Sequence, residues 1–162
     1  MGGRTVAGGG DLLALDLGTK TGFKVGTAKV AMSGTIDFKG GRFEGGGARF
    51  LRLRRWLTEQ HERSRIREVV FEEVHRHLGT DAAHVYGGLL AIVSEWCEDR
   101  GVPYRGVPVQ TIKRFATGKG NASKTEVIAA VQSWGFKPRD DNEADAIALF
   151  QYWMTETAEV MS

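Results

Sequence analysis

Short apolar runs closed by an acidic residue mark this chain. Leu12-Leu13-Ala14-Leu15 ends in Asp16, and Val69-Val70-Phe71 ends in Glu72. Such runs are too short for a helix and apolar on both faces, so each predicts a central strand, the second over Arg67 to Glu72. Between them, Gly18 and Gly22 flank a Gly-Thr-Lys-Thr-Gly turn leading into a strand near Phe23 to Gly26. Ile36 and Phe38 alternate in a further strand over Ser33 to Phe38, which predicts an antiparallel meander.

The period then changes. Gly40 to Gly47 is a glycine-rich connection, and Phe50, Leu53, Trp56 and Leu57 recur at helical spacing after it. Val85, Leu89, Ile92, Val93 and Trp96 form the stripe of a helix over Asp81 to Glu98. Val102 to Val107 reads as a short strand, with Pro103 placing it toward an edge. Pro108 opens a short helix through Phe115. Ser123 with Glu126 forms a capping box for the next helix. Asp140 or Asp141 begins the last, which turns Ala144, Ile147, Ala148 and Phe150 inward. Antiparallel strands followed by alternating strands and helices predict an α/β domain, a mixed sheet flanked by helices. We place it at 11–155, after a flexible leader at 1–10 and before a tail at 156–162.

Composition narrows the class. The 162 residues suit one domain, and 41% hydrophobic with 26% charged content is that of an ordinary globular chain. No apolar stretch reaches the roughly 20 residues of a membrane span, so no membrane is expected among its partners. The single cysteine, Cys97, excludes an internal disulfide and a cysteine zinc site and fits a cytoplasmic setting. The net charge of +2 says little, but its distribution says more. Five basic residues and no acid occupy Arg105 to Lys124, and arginines recur from Arg42 to Arg67, whereas acids gather at Glu72-Glu73 and Asp140 to Asp145. An acidic centre flanked by basic segments is the pattern expected where cations and phosphates meet.

Asp16 and Glu72 close buried strands, where a carboxylate is costly unless something satisfies it. Glu72 and Glu73 point to opposite faces of the sheet, so one of the two serves as ligand. Asp141 and Asp145 share a helix face. Any one of these acids could equally cap a turn or a helix. Gathered together they would repel unless divalent magnesium or manganese neutralises them. Two such ions about 3.5–4 Å apart can activate a water and stabilise the leaving oxygen of a phosphodiester. Gly-Thr-Lys-Thr-Gly allows backbone to approach phosphate, and serves a hairpin turn just as well. His75, His77 and His84 read as loop histidines.

Four segments together resemble RuvC-type Holliday junction resolvases of the RNase H-like superfamily: Leu-Ala-Leu-Asp-Leu-Gly-Thr-Lys-Thr-Gly-Phe, Val-Val-Phe-Glu-Glu-Val-His, Ala-Thr-Gly-Lys-Gly-Asn-Ala-Ser-Lys and Asp-Asp-Asn-Glu-Ala-Asp-Ala-Ile-Ala-Leu. The resemblance runs from about Leu12 to Phe150. It implies a five-stranded RNase H-like sheet and a homodimer that cuts two opposing strands of four-way or branched DNA, leaving 5′-phosphate and 3′-hydroxyl ends. It implies Mg²⁺ or Mn²⁺, two ions per active site, held by Asp16, Glu72, Asp141 and Asp145, and no small-molecule cofactor. Bacterial members carry the third acid three residues before the last, where this chain has Asn142. Asp141 lies one position earlier, as in phage and mitochondrial-like relatives, and the short chain leans toward a phage-encoded member acting in the bacterial cytoplasm. Lys113, Lys119 and Lys124 match a basic region that contacts DNA, with Lys119 and Lys124 assisting at the scissile phosphate. Lys20 and Arg114 are further DNA-contact candidates, and Gly118 and Gly120 would let the backbone approach phosphate. Tyr86 matches the region facing the junction centre, although helix-core packing is an equal reading. The helix carrying Leu89, Leu90 and Val93 is a candidate dimer face.

Other functions share parts of the pattern: Asp-Leu-Gly-Thr also begins a phosphate loop in actin-like sugar kinases and chaperones, whose two such domains 162 residues do not accommodate. YqgF-type nucleases, which act on structured RNA, open with a similar Leu-Asp-Leu-Gly-Thr-Lys, but the Ala-Thr-Gly-Lys-Gly-Asn-Ala-Ser-Lys segment argues against them. A catalytically inactive junction-binding module would not need all four acids.

Overall fold

The computed structural model describes residues 9–77 and 79–161. Apart from Gly9 and Gly10, the expected leader lies outside them. Three antiparallel strands open the fold, β1 (Asp11–Asp16), β2 (Thr21–Gly26) and β3 (Ala31–Ile36). Helix α1 (Ala48–Arg63) leads to β4 (Ile66–Glu73), α2 (Thr80–Arg100) to β5 (Tyr104–Pro108), and three helices follow: α3 (Val109–Thr117), α4 (Lys124–Ser133) and α5 (Asp141–Met161). The five-stranded sheet has the order β3-β2-β1-β4-β5. β4 runs parallel to β1, and β5 parallel to β4. The α/β, RNase H-like architecture expected from the sequence is the one observed. Strand β3 starts two residues earlier than its alternation suggested, and α5 continues through the region expected to be a tail.

Each central strand serves two cores, which is why its sequence is continuously apolar. Leu13, Leu15, Val69 and Phe71 pack with Leu53 and Leu57 of α1 and Leu89, Val93 and Trp96 of α2. Leu12, Ala14 and Val70 face Ile112, Val127, Ile147 and Phe150 of α3, α4 and α5. Leu89 and Val93 are fully buried, so they hold α2 to its own sheet and are not a dimer face. Leu90, from the same expectation, is half-buried against that core.

Two contacts set α5 in place. Asp140 caps its first turn, its Oδ1 accepting the Glu143 N–H at 2.8 Å and the Thr35 hydroxyl of β3 at 2.7 Å. At Gly22 of β2, a β-carbon would lie 1.9 Å from the carbonyl oxygen of Asn142. Only glycine lets the helix approach the sheet this closely.

Candidate metal centre

The parallel register pairs Leu15 with Phe71, so Asp16 and Glu72, the next residues, stand side by side at the same end of the sheet. Strand alternation directs both toward the α5 face, since Ala14 and Val70 two residues earlier lie in that core. Asp145, in the second turn of α5, meets them. One oxygen from each of the three carboxylates lies within 4.8 Å of the other two. All three groups remain partly open to solvent.

Such crowding is unfavourable without a cation. Burial, then the charges of Glu72, Asp145 and Asp141, hold the Asp16 carboxyl well above the usual range. Burial and the Asp145 charge push Glu72 up to about 7 against the opposing pull of Lys113. Burial and Asp141 push Asp145 up to about 6, with Lys113 and Lys124 opposing. Three hard oxygen donors, partly open and short of positive charge, fit a divalent ion of the magnesium or manganese type.

Asp141 stands one turn before Asp145. It lies outside the group of three, but its charge reaches both Asp16 and Asp145. Its Oδ2 pairs with Lys124 Nζ at 3.2 Å. The neighbouring Asp140 is committed to the helix cap, which separates two acids the sequence left open. Glu73 turns away, as strand alternation required, and pairs with His75 at 3.2 Å.

The basic candidates divide. Lys113 and Lys124 line a cleft of about 160 Å³ with Glu72, Asp145 and Ile112. Lys119 instead pairs with Glu126 of the α4 capping box at 2.6 Å. Lys20 is exposed in the turn after β1. The Arg114 guanidinium folds over Gly120, its Nη2 2.9 Å from where a β-carbon would stand. Gly118 adopts φ 87° as the left-handed C-cap of α3, so a helix end requires this glycine whether or not phosphate is near.

Tyr86 is buried, which makes it unavailable as an aromatic wedge. Its hydroxyl donates to the Glu72 carbonyl at 2.9 Å and accepts the Val74 N–H at 3.2 Å. It therefore fixes the end of β4 that carries Glu72. Sequence reasoning did not find this role or those of Gly22 and Thr35, because each depends on a partner brought in by the fold. His77 packs against the Tyr86 ring at 4.9 Å.

No family model matches the sequence, and no curated protein does. Solved structures do. RuvC of T. thermophilus in complex with a Holliday junction substrate superposes with a TM-score of 0.73 and 26% identity, over 91% of this chain and 97% of that one. A second Thermus thermophilus RuvC structure gives 0.66 and 26%, over 85% and 89%. The yeast mitochondrial Holliday junction resolvase Ydc2 shares the fold at 0.63 and 12% identity, over 93% and 80%.

Proposed function

We propose that this chain, built on the RuvC fold, is a metal-dependent endodeoxyribonuclease that cleaves Holliday junctions and related branched DNA by phosphodiester hydrolysis. The observation that carries this reading is the meeting of Asp16, Glu72 and Asp145 within 4.8 Å at one end of the sheet. Similarity to a RuvC bound to its junction substrate supports DNA as the ligand.

Asp16, Glu72 and Asp145 would hold the ion or ions, with Asp141 at their edge. Mg²⁺ or Mn²⁺, two ions per site, is the assignment that suits an all-oxygen set. Bound there, divalent cations supply activation of water and neutralisation of the leaving oxygen. The chain's own groups do the rest. Lys113 and Lys124 place positive charge beside the carboxylates, where it favours an incoming phosphate and offsets charge developing in the transition state. Lys20, Arg114 and Lys119 lie on the surface as further phosphate contacts. A homodimer would supply a second site for the opposing strand. Among the described residues no helix is long and apolar enough to cross a membrane. A phage source and a bacterial cytoplasm are part of the same reading.

Labelled four-way, forked, duplex and RNA substrates, incubated with and without Mg²⁺, test the proposal. Cleavage of the branched DNA only with metal is expected. Cutting of structured RNA in preference to junctions would replace the reading, as would tight junction binding with no product in Mg²⁺.

A further inference from the structure

The connection from β3 to α1 leaves the sheet at the end that carries the carboxylates. Thr35, on the row of Gly22 and Asp16, is hydrogen-bonded to Asp140, and the chain beyond Ile36 continues past it. Residues 39–49 wall a groove of about 660 Å³, lined by Lys39, Arg42, Glu44 and Arg49 between glycines. Its charge is not internally balanced. Glu44 accepts from Arg52 at 2.6 Å and from the Gly41 N–H at 2.7 Å, so it folds the loop. Among the described residues, Lys39, Arg42 and Arg49 have no carboxylate partner, and the Arg49 Nε lacks any hydrogen-bond partner.

Two further features point outward. Phe43 is 95% exposed, with the Arg42 guanidinium 5.6 Å from its ring. Gly45, Gly46 and Gly47 have nothing within 4 Å of where a β-carbon would stand, and none adopts positive φ. Neither packing nor backbone conformation requires glycine there. Gly40 differs, since its β-carbon would meet that of Ala48 at 2.8 Å and the loop could not close on α1. Bare exposed backbone, unpaired cations and a projecting aromatic ring are together the means by which proteins hold unpaired nucleotides: charge tracks the phosphates and a ring stacks on a base.

We propose that the 39–49 loop is a second nucleic-acid contact. Phe43 stacks on an unpaired base at or beside the branch point, and Lys39, Arg42 and Arg49 take the adjoining phosphates. This rests on the branched-DNA reading above and adds a residue that selects branches with an accessible base. The test uses junctions and forks carrying 2-aminopurine at the branch point, with a perfect duplex as control. Wild type should change the probe's fluorescence. Phe43→Ala should abolish that change and weaken fork binding by about tenfold, with duplex binding unaltered. Arg42→Ala with Arg49→Ala should lower the salt slope of binding by about one unit per lost contact. Phe43 touches almost nothing, so its variant should keep the wild-type circular dichroism and Tm. Wild-type cleavage together with unchanged fluorescence and affinity in Phe43→Ala would overturn the inference alone. A wild type that neither binds nor cuts branched DNA would sink the functional reading, and this inference with it.

Discussion

Gly22 and Asn142 touch backbone to backbone, and their contact decides whether the carboxylates can meet. A β-carbon on residue 22 would stand 1.9 Å from the Asn142 carbonyl oxygen, so α5 would have to move away. Asp145 rides on that helix one turn later. Gly22→Ala should therefore lose metal binding and cleavage out of proportion to any loss of fold. Magnesium titration by calorimetry, beside circular dichroism, checks this. Metal affinity equal to wild type would show that the approach is not needed.

Replacing Asp16 by Asn should abolish cleavage while junction binding persists. It should also stabilise the metal-free protein, because it replaces a carboxyl whose ionised form the crowded site disfavours with a neutral amide. The pH dependence follows from the same crowding. Glu72 and Asp145 titrate near 7 and 6 when folded, and lower when unfolded. In that window the folded state binds more protons, so metal-free stability should fall as pH rises from about 4 to 7. Saturating Mg²⁺ should remove the decline. Thermal melts at pH 5.5 and 8, with and without metal, measure it; identical melts in all four conditions would refute the crowding argument.

Asp140 and Asp141 should fail in different ways. Asp140→Ala removes the cap of α5 and should cost about 1 kcal/mol, read as a lower Tm. Asp141→Asn should leave Tm near wild type but weaken metal affinity by about tenfold or more. Asn142→Asp, measured beside it, shows whether the bacterial position can substitute. Full activity in Asp141→Asn would remove that residue from the ligand set.

Among the lysines, Lys113→Ala should reduce cleavage more than Lys119→Ala. Lys113 lines the carboxylate cleft, whereas Lys119 is held by Glu126. Single-turnover rates at saturating protein separate this effect from binding. Equal losses would mean that these lysines act only by their charge.

Lys24 is 5% exposed in the second core, its Nζ 3.8 Å from the Phe136 ring centre and hydrogen-bonded to Gln151. Burial lowers its pKa to about 8. Because the unfolded chain holds that proton more tightly, this residue's contribution to stability should rise between about pH 8 and 10.5. Lys24→Met should stabilise the protein at pH 7 by on the order of 1–2 kcal/mol, the ring contact having offset part of the burial cost. Denaturant unfolding of the two proteins checks both the sign and the pH dependence.

What the chain order determined alone was local and periodic. Continuous apolar runs marked β1 and β4 as central strands, because a strand covered on both faces must be apolar at every position. Strand alternation separated Glu72 from Glu73, and the Ser123–Glu126 capping box set the start of α4. Acids at strand ends marked the candidate centre, since burying a carboxylate is costly without a cation. Tertiary structure decided what depends on distant partners. Asp140, not Asp141, took the cap of α5, its oxygen tied to Thr35 of β3 as well, and Tyr86 became a brace for Glu72 because α2 packs beneath β4. Lys119 was drawn to Glu126 while Lys113 entered the cleft. Such choices turn on contacts a few ångströms long, most of them between residues on different elements of the fold, and local sequence holds no trace of those distances.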